Sequence, residues 1–337
     1  MTTRAPARTR SSASARPIPF VLPVMTATFP ARLPGMLPVL LPASDTGSSE
    51  VRVGAGPRAG LAPCPGHRYL GRAGSFHPRP VPRLVSTPLH PRERPFMART
   101  ALVTGGARRI GRAISLGLAE AGFDVLVNYN ASASEADEVV GRIEDLGQRA
   151  AAVQGDVSNS EDVEGVARVL RDRFGRLDLL VNNASLFQPR RLMEVEEAEW
   201  DRVMAVNLKA PFLMLKATAD LLQEREGSVV NLVDLSAMQP WVEYAHHGVS
   251  KAGLLHLTRI MARAMAPRVR VNAIAPGSVL PPDDADEETR ERSRKAAALG
   301  RLGTPEDVVR TVLFLHRSPF ITGEVVVVDG GRMLGGR

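Results

Sequence analysis

Lys251 stands four residues after His247 in the stretch EYAHHGVSK, and Asp234 lies thirteen residues before that histidine. If residues 247–251 are helical, this spacing puts imidazole and ammonium on one face. Imidazole titrates near neutral pH, so it can hand a proton to an atom on which negative charge is building. A neighbouring carboxylate would hold one tautomer of the ring and favour its charged form, while the lysine would oppose it.

A second group of residues is suited to phosphate. The short apolar run TALVT leads into TGGARRIG at 104–111, and a helical period follows. Gly105, Gly106 and Gly111 permit a tight turn and close backbone approach to a pyrophosphate, which the helix N-terminus, beginning near Ile110, would stabilise. The next apolar strand ends in VLVNYNASAS, with no acid before Glu135. An acid there would bind ribose hydroxyls and repel a 2′-phosphate. Instead Arg108 and Arg109 flank the loop, with no competing acid expected, and Asn130 and Ser132 offer hydrogen bonds. This set predicts NADPH rather than NADH.

The elements that must position these groups run from Arg99 onward. TALVT, DVLVNY, AAAVQGDV, LDLLVNNA, GSVVNLV, VRVNAIAP and EVVVVDG read as buried strands separated by helical periods. In the first helix Ile110, Ile114, Leu118 and Ala121 share a face and Gly122 closes it; in the second, Ser134 is the expected cap and Gly147 the stop. Apolar strands alternating strictly with helices predict one α/β domain, doubly wound and Rossmann-type: a seven-stranded parallel sheet with helices on both faces.

Residues 1–96 differ from this body. They hold 13 Arg, no Lys and three acids, a net of +10, which leaves the remainder at −3 against +7 for the whole chain. The basic character therefore belongs to the leader, and the body, residues 97–337, predicts no nucleic-acid partner. The leader's apolar run is broken by prolines too often to span a membrane. Its Arg- and Ser-rich, acid-poor opening is that of a transit peptide, or translation starts at Met97 and the leader is absent or disordered. A single cysteine, Cys64, allows no internal disulfide and no cysteine metal cluster, which suits a reducing, cytoplasmic setting.

The loop at 104–111, NNAS at 182–185, Asn207, Lys251 and PG at 276–277 together resemble the short-chain dehydrogenase/reductase family, over residues 99–331. Arg109 where the family has a middle glycine, Asp234 where it commonly has serine, and NNASLF look like its pteridine reductase branch. The resemblance implies an NADPH-dependent oxidoreductase acting on C=N or C=O of a small planar molecule. It implies cofactor contacts from Asp156, Val157, Asn183, Ala184, Lys251, Pro276 and Gly277. It gives Asn207 a water linking Lys251 to solvent, and substrate contacts to Ser185, Phe187 and Tyr244. The charged stretch after Gly277, hinged at Pro281 and Pro282, would be a substrate lid, and helices at about 200–224 and 246–266 would pack a homotetramer.

The departure is at residue 247, where the family has the tyrosine that donates the proton. Three readings stay open: His247 is the acid, Tyr244 substitutes for it, or the site binds cofactor and turns over slowly or not at all. His246 reads as a surface or interface residue. The alternatives to a pteridine-type reductase are a general carbonyl or 3-oxoacyl reductase, and a dinucleotide-binding regulatory protein.

Overall fold

The computed structural model describes residues 99–281 and 285–335. The expected leader at 1–96 and Pro282 of the expected hinge lie outside them. The seven strands are β1 (Arg99–Val103), β2 (Phe123–Tyr129), β3 (Ala150–Gln154), β4 (Leu179–Asn182), β5 (Ser228–Leu232), β6 (Arg270–Pro276) and β7 (Val325–Val328). They pair in the order β3-β2-β1-β4-β5-β6-β7, parallel throughout. The order reverses between β1 and β4, where parallel sheets open a crevice at their carboxyl ends.

Both faces of the sheet are covered, which is why its strands are nearly unbroken apolar runs. Ala101 and Val103 of β1 point to one layer, with Ile114 and Leu118 of α1 (Arg109–Glu120), Val139 and Ile143 of α2 (Ala133–Asp145), and Val308, Val312 and Leu315 of α8 (Pro305–Arg317). Leu102 points to the other, with Val166 and Leu170 of α3 (Ser160–Phe174), Met214 and Leu222 of α5 (Ala210–Glu224), and Met261 of α6 (Ala245–Met265). The period-two alternation of β1 thus feeds two cores.

Several boundaries differ from the sequence reading. α2 starts at Ala133, so Ser132 precedes it and Ser134 lies inside; Ser132 makes no side-chain capping bond. The expected single helix at 200–224 is α4 (Glu197–Met204), a wider π turn at Ala205–Lys209, and α5. Among its described residues the charged segment after Gly277 is helical only over α7 (Glu287–Ala296), whose Arg294 bonds to Glu287 and Glu291 of its own helix.

Candidate active site

Thr104, just past β1, ties the phosphate loop to the end of β4. Its hydroxyl accepts from the backbone N–H of Asn183 (3.0 Å) and Ala184 (3.1 Å), while Asn183 Nδ2 donates back to the carbonyls of Thr104 and Gly105, both 3.0 Å. Gly105 has φ +59, a left-handed conformation suited to glycine. A Cβ on Gly111 would run into the Gly105 carbonyl and Asn183, so α1 can start this close to the loop only with glycine there. Gly106 faces inward instead, toward Ser115, and does not line the cleft.

The cleft above this loop has a volume of about 440 Å³. Gly105, Arg108, Arg109, Ile110, Gly111, Asn130, Asp156, Val157, Asn183 and Ala184, all expected to bind cofactor, line it. Ser132 does not; it is half-buried at the start of α2. A chamber of about 240 Å³ continues the cleft, sharing Ile110, Asn183, Ser185 and Phe187 with it and adding Asp234, Trp241, His247, Lys251, Pro276 and Gly277. The extended groove with glycine loop, helix N-terminus and cations fits a dinucleotide.

The two arginines are less available than expected. Arg108 Nε lies 3.7 Å from Glu135 in the first turn of α2, an acid that competes for it. Arg109 takes a left-handed φ of +51 and donates to the carbonyls of Leu280 (3.2 Å) and Pro281 (3.0 Å). Asp156 is also engaged: Arg202 bonds to it at 2.9 Å, and Ser158 donates from backbone and hydroxyl. Burial alone would raise its pKa, but these bonds and the Arg202 charge lower it. Arg202, 46 residues away on α4, lines the cleft without any local sequence signal.

His247 is almost fully buried, at 1 % exposure. Its Nε2 is 2.6 Å from Asp234 Oδ2 and its Nδ1 is 2.9 Å from the Leu186 carbonyl. Asn207 Nδ2 is 3.2 Å from Nδ1 as well, but its two hydrogens go to the Leu186 carbonyl and Ser250 Oγ, each at 3.0 Å. Ser250 Oγ must accept there, because it donates to the His247 carbonyl at 2.6 Å. Both ring nitrogens therefore lie within hydrogen-bonding distance of acceptors. Burial would raise the pKa of Asp234, yet the hydrogen bond from His247, the Lys251 cation and the Ser236 hydroxyl hold it below the usual carboxylate range.

Lys251 Nζ donates to the Leu232 carbonyl at the end of β5, at 2.9 Å. Burial lowers its pKa, opposed by Asp234. Asn207, held in the π turn, anchors the 185–187 loop: its Oδ1 accepts from Leu186 N (2.8 Å) and Ser185 Oγ (3.2 Å). Its side chain thus clamps the π turn to the 185–187 loop. Tyr244 is not on the helix; it immediately precedes α6 and stacks on Phe187, ring centroids 4.3 Å apart. His246 is not a surface residue. It is fully buried, neither ring nitrogen has a hydrogen-bond partner, and burial lowers its pKa.

A Rossmann-type sheet, a glycine loop at its switch point and a buried acid–base cluster at the end of the cleft define a dinucleotide-dependent oxidoreductase. Comparison with known proteins gives the family. A family model described as Enoyl-(Acyl carrier protein) reductase matches residues 105–332. The 3-oxoacyl-[acyl-carrier-protein] reductase FabG of Staphylococcus aureus is 38% identical over 70% of this chain and 98% of its own. The structure of FolM Alternative dihydrofolate reductase 1 from Brucella canis, complexed with NADP, is 39% identical with a TM-score of 0.68, covering 73% of this chain and 98% of that one. Acetoin dehydrogenase from Enterobacter cloacae is 31% identical with a TM-score of 0.66, over 71% and 97%. The chain belongs to the short-chain dehydrogenase/reductase family and is an NAD(P)-dependent oxidoreductase. Among the described residues no helix is long and apolar enough to cross a membrane.

Proposed function

We propose that this enzyme uses NADPH to reduce a C=N or C=O bond in a small planar heterocycle, in the manner of a pteridine reductase. The observation that carries the reading is the aromatic wall beside the acid: Phe187, stacked with Tyr244, stands edge-on to His247 with centroids 4.8 Å apart. A flat ring entering the chamber has an aromatic face to stack against, worth about 1 kcal/mol beyond burial. A dinucleotide held along the cleft and chamber would supply the hydride. Gly105, Gly111, Arg108, Arg109, Asn130, Asp156, Val157, Asn183, Ala184, Pro276 and Gly277 line where the dinucleotide would lie.

The residues of this chain then handle the proton. His247 carries it but is buried, and its Nε2–H is directed at Asp234, which is partly exposed. The proton leaves His247 through Asp234 Oδ2 into the chamber, and Lys251 steadies the charge that remains. Asn207 positions both the ring of His247 and the Ser185–Phe187 loop. Small-molecule substrate and self-association through α5 and α6 belong to the same proposal; sedimentation measures the latter.

The 38% identity to 3-oxoacyl-[acyl-carrier-protein] reductases favours a second reading, reduction of a 3-oxoacyl thioester. NADPH oxidation followed in parallel with a dihydropteridine, a simple ketone and a 3-oxoacyl thioester tests both. Preference for the dihydropteridine supports the first reading, preference for the thioester replaces it, and no turnover removes both.

A further inference from the structure

The rings at the chamber continue into an arc. Trp241 stands edge-on to Tyr244 at 6.1 Å, and the guanidinium of Arg332 lies 5.9 Å from the Trp241 ring centre. Trp241 lines both the catalytic chamber and an apolar groove of about 850 Å³, so the two spaces meet at its ring. Arg332 Nη1 donates to Ser278 Oγ at 2.7 Å, one residue past the chamber-lining Gly277. The turn that carries it is built firmly: Asp329 accepts from the backbone N–H of Gly331 (2.8 Å) and Met333 (2.7 Å).

The other cations near this mouth are engaged. Arg191 pairs with Glu243 at 3.0 Å, Arg109 holds the carbonyls of Leu280 and Pro281, and Lys251 is buried beside Asp234. Among the described residues Arg332 makes no ion pair. A planar, weakly hydrated guanidinium held against an aromatic ring and a hydroxyl is suited to a carboxylate or phosphate. We infer that Arg332 is an anion-binding residue at the substrate mouth, and that the molecule reduced here carries an oxyanion, carboxylate or phosphate, on the side away from the reacting bond. This rests on the reductase reading above and deepens it. The same chemistry has two sources, the carboxylates of a conjugated dihydropteridine or the phosphates of a pantetheine-type thioester.

The test compares wild type, Arg332→Gln and Arg332→Lys on two matched pairs: dihydrofolate against a neutral dihydropterin, and a 3-oxoacyl-CoA against its N-acetylcysteamine thioester. In whichever pair turns over, wild type should favour the anionic member. Arg332→Gln should cut that preference about tenfold, through KM rather than kcat, and Arg332→Lys should keep part of it. Added salt should raise the wild-type KM for the anionic member and move that of Arg332→Gln less. Equal losses on both members of a pair, or a salt-insensitive wild-type KM, would overturn the inference. If Arg332→Gln does not fold, Arg332→Lys and the salt series on wild type decide. If neither pair turns over, the reductase reading has failed, and equilibrium binding of dihydrofolate against the neutral dihydropterin decides the anion site, equal affinities overturning it.

Discussion

At position 247 the chain replaces a phenol with an imidazole, and burial determines what that exchange does. A tyrosine could present its hydroxyl to the chamber directly, whereas His247 has both nitrogens committed, one of them 2.6 Å from Asp234. In the proposed relay Asp234 is then part of the acid. Substituting His247→Ala should lower kcat by at least the ~10²-fold expected of general-acid catalysis, and Asp234→Asn should do the same, because it blocks the exit of the proton while leaving the histidine. His247→Tyr should retain or raise activity by returning a direct donor. Tyr244→Phe should be nearly silent, since the ring stack with Phe187 survives loss of the hydroxyl. Steady-state kinetics of the four variants check the scheme. Loss of turnover in Tyr244→Phe with an unaffected His247→Ala would transfer the role to Tyr244.

The turn between β1 and α1 shows what an element adds to its residues. Arg108 and Arg109 read as a pair facing no acid, but the fold brings Glu135 of α2 to 3.7 Å from Arg108 and leads Arg109 to the carbonyls of 280 and 281. The preference for NADPH over NADH is therefore a proposal, and it now rests on Arg108 against Glu135. NADPH should bind about tenfold or more tightly than NADH, Arg108→Ala should narrow the gap, and Glu135→Gln should widen it by releasing Arg108. Fluorescence titration of both nucleotides measures this, and equal wild-type affinities would refute it. The same contrast explains what was legible in the sequence. The five inner strands are buried runs and the edge strands β3 and β7 are half-buried, yet all seven are apolar enough to be marked by composition, and the glycine loop announces itself through its strand and helix context. The i, i+4 register of His247 and Lys251 is a local property of one helix. The cap falls at Ser132 and not at the expected Ser134 because either serine can precede a helix, and Ser132 makes no side-chain capping bond that would mark it. His246 was misplaced because one helix turn carries the chemistry of 247 inward, while the neighbour is buried by packing between α4 and α6 that no local pattern reveals. Arg202 lines the cleft from a distant segment for the same reason.

Across the molecule, stability and pH are linked through the far side of the sheet from the proton relay. A truncation beginning at Met97 should unfold with the same midpoint as the full chain and bind NADPH equally, because β1 begins at Arg99; an insoluble or non-binding product would show that 1–96 contribute. Within the fold, His316 of α8 sits against Phe123 at 5.2 Å, with Nδ1 2.9 Å from Ser228 Oγ. Burial, reinforced by the cations of Arg99 and Arg270, depresses its pKa to about 4 from an ordinary 6.5. Between those two values the unfolded chain binds a proton that the folded chain refuses. Stability therefore rises with pH across this window, is fully present above about 6.5, and is lost as pH falls towards 4. The shift corresponds to roughly 3 kcal/mol at most. Carboxylates with lowered pKa, such as Asp156 and Asp234, lose their contribution at lower pH still, so the comparison must be made against a variant. His316→Gln keeps a hydrogen-bonding group for Ser228 but cannot titrate. Urea midpoints measured from pH 7 to 4.5 should fall for the wild type and stay flatter for His316→Gln, the curves converging as the pH drops if the glutamine packs less well. Parallel curves over the whole range would show that His316 takes no part in the acid sensitivity of the fold.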